Sequence, residues 1–166
     1  MRDRLFHDVE IESACSIGDF LFLRRLRNQV CHVMTNDPSK IGILRQIKFY
    51  RDMRRNFKRP QPVRIYIARL RSQRVGYLLI RSGDGAPRIT EAVDQRFRRS
   101  GIAKSLIRYA QRHHNDLIAE IRDDNYASIA LHESAGFEQE FRSGRVLIYR
   151  YSCNQPTSAP SRPACG

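Results

Sequence analysis

Between Val93 and Ile102 the hydrophobic rhythm of the chain changes, and this change restricts the fold more than any other feature. Before it, apolar residues alternate: Val63, Ile65 and Ile67 with a slip after them, then Val75 to Arg81, then Arg88 to Val93. A period of two means strands, and Asp84-Gly85 between the last two marks a hairpin. After it, Ile102, Ala103, Leu106, Ile107 and Ala110 fall at helical spacing. Leu117 to Ile121 reads as a short apolar strand. Ala127, Ala130, Leu131, Ser134 and Ala135 form another helical stripe, closed by Gly136. Phe141 and then Val146 to Tyr151 offer a last pair of strands around Ser143-Gly144. Upstream, Val9, Ile11 and Ser13 alternate as a short strand, and Ile17, Phe20 and Leu21 begin a helix running to Arg27. Ile43, Leu44, Ile47, Tyr50 and Met53 predict a strongly basic helix from Ile41 to about Phe57, which Pro60 and Pro62 stop. A strand, two helices, three strands, then helix, strand, helix and strands is the order of a mixed α/β sheet in one domain.

The 166 residues suit a single domain. The longest apolar runs, Phe20 to Leu23 and Val75 to Ile80, are far short of the ~20 residues that span a bilayer, and no secretory signal follows Met1. The chain has 30 Lys and Arg against 17 Asp and Glu, a net charge of +13, which points to polyanionic or phosphorylated partners. The charge gathers in Arg24, Arg25 and Arg27, along the helix from Arg45 to Arg59, and from Arg96 to Arg112. Cys15, Cys31, Cys153 and Cys165 form no Cys-x-x-Cys pair and match no zinc spacing, so no metal is expected and a reduced, cytoplasmic chain is. Residues 152–166, rich in Pro, Ser and Thr, read as a disordered tail.

The segment Gln95-Arg96-Phe97-Arg98-Arg99-Ser100-Gly101-Ile102-Ala103 sits where a strand gives way to a helix. Gly101 and Ala103 are small enough for a ligand to approach the backbone. The first-turn N–H groups and the helix dipole favour an anion, and the arginines add charge. The pattern suits a pyrophosphate, although it is neither a Walker loop nor the dinucleotide Gly-x-Gly-x-x-Gly. A tightly packed turn with exposed arginines is the alternative. Downstream of the strand Leu117 to Ile121 comes Asn125-Tyr126-Ala127-Ser128-Ile129-Ala130-Leu131-His132-Glu133-Ser134-Ala135-Gly136-Phe137.

Together these two segments resemble the GNAT superfamily of acetyl-coenzyme A-dependent N-acetyltransferases. Arg98-x-x-Gly101-x-Ala103 is similar to that family's pyrophosphate motif. Asn125, Ser128-Ile129 and Gly136-Phe137 are similar to its second coenzyme-binding segment. The resemblance is firm from about Arg74 to Tyr151 and is closest there to the enzymes that acetylate ribosomal-protein N-termini. It implies a GNAT-like domain over residues 1–151, with a mostly antiparallel mixed sheet flanked by helices and a bulged fourth strand splayed from the fifth. It implies acetyl-CoA as cosubstrate, with Ala92 and Val93 bonding the pantetheine arm and Arg98, Arg99, Ser100, Gly101, Ile102, Ala103, Asn125 and Ser128 completing the coenzyme site. Glu91 falls in the alternating phase of Ile89 and Val93, so either it faces a cleft or a bulge shifts the register.

Acetyl transfer to an amine requires a neutral nucleophile, a polarised carbonyl and a protonated leaving thiolate. Glu120 matches the general base of the ribosomal-protein branch; a strand Glu paired to an arginine such as Arg122 is the alternative, and Glu91 is the competing base. His132 stands where that branch carries a tyrosine acting as general acid. Imidazole can donate a proton but is mostly neutral at pH 7. The first two helices and the last hairpin shape the acceptor cleft in such folds. Their arginines and lysines here suit an anionic acceptor, such as an amino sugar nucleotide, a small metabolite or a protein N-terminus, and discourage polyamines. A monomer or homodimer is expected. Two other readings stand: a basic nucleic-acid-binding module, which lacks the aromatic interleaving of a stacking platform, and a GNAT fold that binds CoA without turnover.

Overall fold

The computed structural model describes residues 9–35, 38–55 and 62–153. In chain order these form β1 (Val9–Ser13), α1 (Ile17–Gln29), α2 (Ile43–Arg55), β2 (Val63–Leu70), β3 (Gln73–Arg81), β4 (Arg88–Val93), α3 (Ile102–His113), β5 (Asp116–Arg122), α4 (Tyr126–Glu133), β6 (Glu138–Ser143) and β7 (Val146–Ser152). Short 3-10 turns, Cys31–Val33 and Gln95–Phe97, follow α1 and β4. The expected turn at Asn36-Asp37, the helix end near Phe57 and the tail beyond Cys153 lie outside the described residues. The sheet order is β1-β2-β3-β4-β5-β7-β6. Every neighbouring pair is antiparallel except β4 with β5, whose parallel pairing is made by the α3 crossover. No described helix is long and apolar enough to cross a membrane.

Both faces of the sheet are covered. Val75, Leu78, Ile89, Leu106, Ile107, Ala119 and Phe137 form the core on the α3–α4 face. Phe20, Phe22, Leu26, Ile65, Ile67 and Tyr77 form the core beneath α1. The slip in the β2 alternation is a register shift between Ala68 and Arg69. There the chain exchanges an apolar contact for a charge: Arg69 Nη2 donates to Asp19 Oδ1 at 2.7 Å. Asp19 has no exposed surface and also accepts from Arg74 Nε at 2.7 Å. With Ser16 it closes a capping box, Asp19 N to Ser16 Oγ at 3.2 Å and Ser16 N to Asp19 Oδ2 at 3.0 Å. One carboxylate thus caps α1 and ties it to β2 and β3.

The α2 stripe differs from its sequence pattern. Leu44 is 80% exposed and Ile43 51%, whereas Gln46 is buried. Phe49 and Tyr50 pack on Phe20 with ring centroids 5.7 and 5.1 Å apart, and Met53 joins the same cluster. Positions 46, 49, 50 and 53 are also at helical spacing, and their aromatic area outweighs that of the three aliphatics one turn away.

Candidate active site

Arg88 pairs with Ile118 and Ile89 with Ala119, and there the β4–β5 ladder stops. On its other edge β4 stays paired with β3 as far as Val93 with Gly76, and β5 stays paired with β7 as far as Arg122 with Val146. The two strands therefore part while each remains anchored in its own half of the sheet. Thr90 to Val93 present main-chain groups to this opening with no β5 partner. Gly76 lets β4 lie close to β3: a Cβ there would stand 3.0 Å from the Ala92 carbonyl oxygen. The splay agrees with the expected fold, but the expected bulge in β4 does not occur, since the β3–β4 register is continuous. Of the two readings of Glu91, it faces inward, in phase with Ile89 and Val93 on the α3–α4 side.

At the wide end of the opening the chain turns into α3. Asp94, almost fully buried, caps the Gln95–Phe97 turn by accepting from Arg96 N at 3.1 Å. Its carboxylate also accepts from Arg96 Nε and Nη2, both at 3.1 Å, and from Arg25 Nη2 at 3.2 Å. The Arg96 bonds outweigh burial and hold the carboxyl below its usual range. Arg99 and Gly101 have positive φ, 61° and 81°. Gly101 caps α3 in the left-handed conformation with no side-chain cap bond, and the first helical bond is Ser105 N to Gly101 O at 3.0 Å. The N–H groups of Ile102, Ala103 and Lys104 therefore precede the first helical acceptor and point out of the helix end. No acid lies in this first turn. Arg98 and Arg99 are exposed beside it, Arg98 Nε reaching Val93 O at 3.4 Å. Ser100 differs from them: its hydroxyl donates to the Phe97 carbonyl and is turned into the loop.

Glu91 and His132 come together from β4 and α4. His132 Nε2 faces Glu91 Oε2 at 3.6 Å, and their side chains are 2% and 9% exposed. His132 Nδ1 lies 2.9 Å from the Ser128 carbonyl oxygen, which can only accept, so Nδ1 carries a hydrogen. Nε2 has no hydrogen-bond partner among the described residues. Phe137 presses edge-on against the imidazole, with centroids 5.1 Å apart. Burial pushes the Glu91 carboxyl above its usual range, and the imidazole opposes this only in part.

Glu120 lies elsewhere. On β5, Leu117, Ala119 and Ile121 are buried on the α3–α4 face, so Glu120 projects to the opposite, α1 side. It is partly exposed and accepts from Arg88 Nε at 2.8 Å. Arg122, the partner suggested by the sequence, instead donates to Asp124 at 3.0 and 2.7 Å. Asn125 caps α4, its Oδ1 accepting from Ser128 N at 3.3 Å. Sequence reasoning missed Asp94, which stands at the head of the loop, and Glu133, which accepts from Tyr149 Oη at 2.9 Å. An acid immediately before the basic segment was the available signal for Asp94. Among the described residues no cluster of His, Cys, Asp and Glu is placed to hold a metal.

A small-residue helix start, an uncapped positive pole and a strand opening beside it fit a diphosphate joined to an extended arm. The comparisons agree with this geometry. The acetyltransferase (GNAT) family model matches residues 28–137. No curated protein is similar enough in sequence to match. Spermidine N-acetyltransferase from Vibrio cholerae, solved with CoA and spermine, superposes with a TM-score of 0.73 at 14% identity, over 87% of this chain and 95% of that one. An N-acetyltransferase from Staphylococcus aureus Mu50 gives 0.68 at 18% identity, over 87% and 98%. Ribosomal-protein-alanine N-acetyltransferase from Brucella melitensis gives 0.62 at 21%, over 86% and 99%. At these identities the solved structures share the fold; the family model carries the assignment and, with it, acetyl-CoA as cosubstrate. The chain belongs to the GNAT family of acetyltransferases.

Proposed function

We propose that the protein transfers the acetyl group of acetyl-CoA to a primary amine of an anionic acceptor, by direct attack with both substrates bound. The observation that carries this reading is the β4–β5 ladder ending after two residue pairs, beside the uncapped start of α3. Ala92 and Val93 offer main-chain groups to the pantetheine arm. Arg98, Arg99 and the backbone of Ser100 to Ala103 hold the diphosphate, and Asn125 and Ser128 set the start of α4 against it. When bound, the coenzyme supplies the activated acyl group.

The chain's own residues then divide the proton work. An alkyl ammonium with a pKa near 10 must lose a proton before it attacks. Glu120, on the face of the sheet opposite α3 and α4, receives that proton. Glu91 and His132, on the opposite side of the opening, form the pair that returns a proton to the leaving sulfur. A carboxyl pushed above its usual range by burial suits that task, and Nδ1–H of His132, fixed on Ser128, leaves Nε2 aimed at Glu91. Positioning of the two substrates supplies much of the rate.

The test joins retention on CoA-agarose, retention on heparin, and thiol release over an amine library. Retention on CoA-agarose at high salt with acceptor-dependent thiol release supports the reading. Heparin binding without CoA retention assigns the basic surface to nucleic acid, and CoA retention without thiol release against any amine overturns the catalytic part.

A further inference from the structure

A cavity of about 540 Å³ lies at the C-terminal half of α1, lined by Arg24, Arg25 and Asn28, His32 of the 3-10 turn, and Lys40. That volume is within the range of small-ligand sites. Among its described lining residues there is no carboxylate. Its walls are braced from behind. Arg24 Nε donates to Ile41 O at 2.8 Å, and Asn28 holds the same residue at both ends, Nδ2 to Ile41 O at 3.0 Å and Ile41 N to Oδ1 at 2.8 Å. Arg25 is held from two sides. Its guanidinium lies over the Phe22 ring, 5.3 Å from the centroid, and Nη2 bonds Asp94. Asp94 engages one nitrogen of a five-donor group, so the rest of the fork is oriented but uncommitted. Two braced guanidinium groups, one of them paired with a single carboxylate, Asp94, keep a net positive charge and are a recognition surface for an anion. The Arg25–Asp94 bond also links the cavity lining to the loop that opens α3.

We infer that this cavity binds the phosphate or carboxylate group of the acceptor. The inference rests on the acetyltransferase reading and deepens it: the substrate class is an amine that carries its own anionic group, anchored by Arg24, Arg25 and Lys40. A polyamine, the acceptor of some proteins with the same fold, would meet only like charges there. Asp94 is a positioning residue for Arg25.

The probe is inorganic phosphate, titrated into protein saturated with CoA so that the coenzyme loop is already filled. Side-chain NMR follows Arg24 and Arg25 Nε and Lys40 Nζ. Saturable shifts at these three groups are expected, with a dissociation constant of about 1–10 mM. Lys40→Glu and Arg25→Gln should each weaken phosphate by about fivefold or more, while CoA affinity in Lys40→Glu stays at the wild-type value. Lys40 is exposed, so that variant keeps the fold if Arg25→Gln does not. Absence of saturation up to about 100 mM phosphate, or phosphate affinity unchanged in Lys40→Glu, overturns the inference. Spermidine shifting the same three groups overturns it also. The outcomes are separable: CoA binding without phosphate shifts sinks the anion site alone, whereas failure of CoA to bind sinks the acetyltransferase reading.

Discussion

His132 Nε2 looks directly at Glu91 Oε2 across 3.6 Å, with its other nitrogen bonded to the Ser128 carbonyl. Nε2 makes no hydrogen bond among the described residues, and the charged group it faces is the Glu91 carboxyl. Placing proton delivery on the pair is thus more economical than placing it on His132 by itself.

Glu91 makes the first prediction. A carboxyl whose pKa is raised in the folded state favours folding below its unfolded value, about pH 4.3, and that contribution disappears as pH rises through the folded value. Glu91→Gln should therefore raise Tm at about pH 8 relative to wild type and change it little at about pH 4. Thiol release by the same variant should fall by at least about tenfold. Equal Tm shifts at both pH values would show that the fold does not push the carboxyl above its usual range.

His132 is tested through turnover and coenzyme affinity together. His132→Ala should lower turnover about tenfold or more, about 1.4 kcal/mol in the barrier, and leave CoA affinity, measured by calorimetry, within about threefold of wild type. Unchanged turnover removes the residue from the proton path.

Gly101 combines a left-handed backbone with the cap of α3. Gly101→Glu strains that conformation and sets a negative charge where the diphosphate belongs. CoA affinity should drop by about 100-fold, read as loss of retention on CoA-agarose with the circular-dichroism spectrum preserved. Full retention would place the coenzyme somewhere other than this loop.

Asp19 tests stability rather than chemistry. Burial alone would push its carboxyl up. The Arg74 guanidinium, the Ser16 hydroxyl and N–H, and the Cys15 N–H together overcome this and hold it well below the usual range. Its contribution is complete above the unfolded value, about pH 3.9, and fades as pH falls below that. Asp19→Ala leaves Arg74 without its buried carboxylate and Arg69 with the exposed Glu12 at 3.1 Å, and should cost about 3–5 kcal/mol in urea unfolding at pH 7. A loss under about 1 kcal/mol would mean that the cluster behaves as a surface ion pair.

Most of the fold was readable because apolar periodicity carried it: β1, β2, β4 and the start of α3 fall at the residues where the pattern changes. The α2 face was not, since Ile43, Leu44 and Ile47 mimic a buried stripe and only the bulk of Phe49 and Tyr50 selects the other one. The Asp19 cluster was hidden because Asp19 lies 50 and 55 positions from the two arginines it binds. At the site, the odd phase of Glu91 left it either facing a cleft or displaced by a bulge, and its pairing with His132 is tertiary and had no local signal. Glu120 could be located on its strand, while Arg88 as its partner required the β4–β5 register.

The short parallel ladder has a consequence for how such a protein changes over time. Two residue pairs bind the β1–β4 half of the sheet to the β5–β7–β6 half. Drift in the outer hairpin can reshape one jaw without retuning the other. Descendants of one ancestor can thus diverge in the molecules they modify while keeping a common grip on the donor.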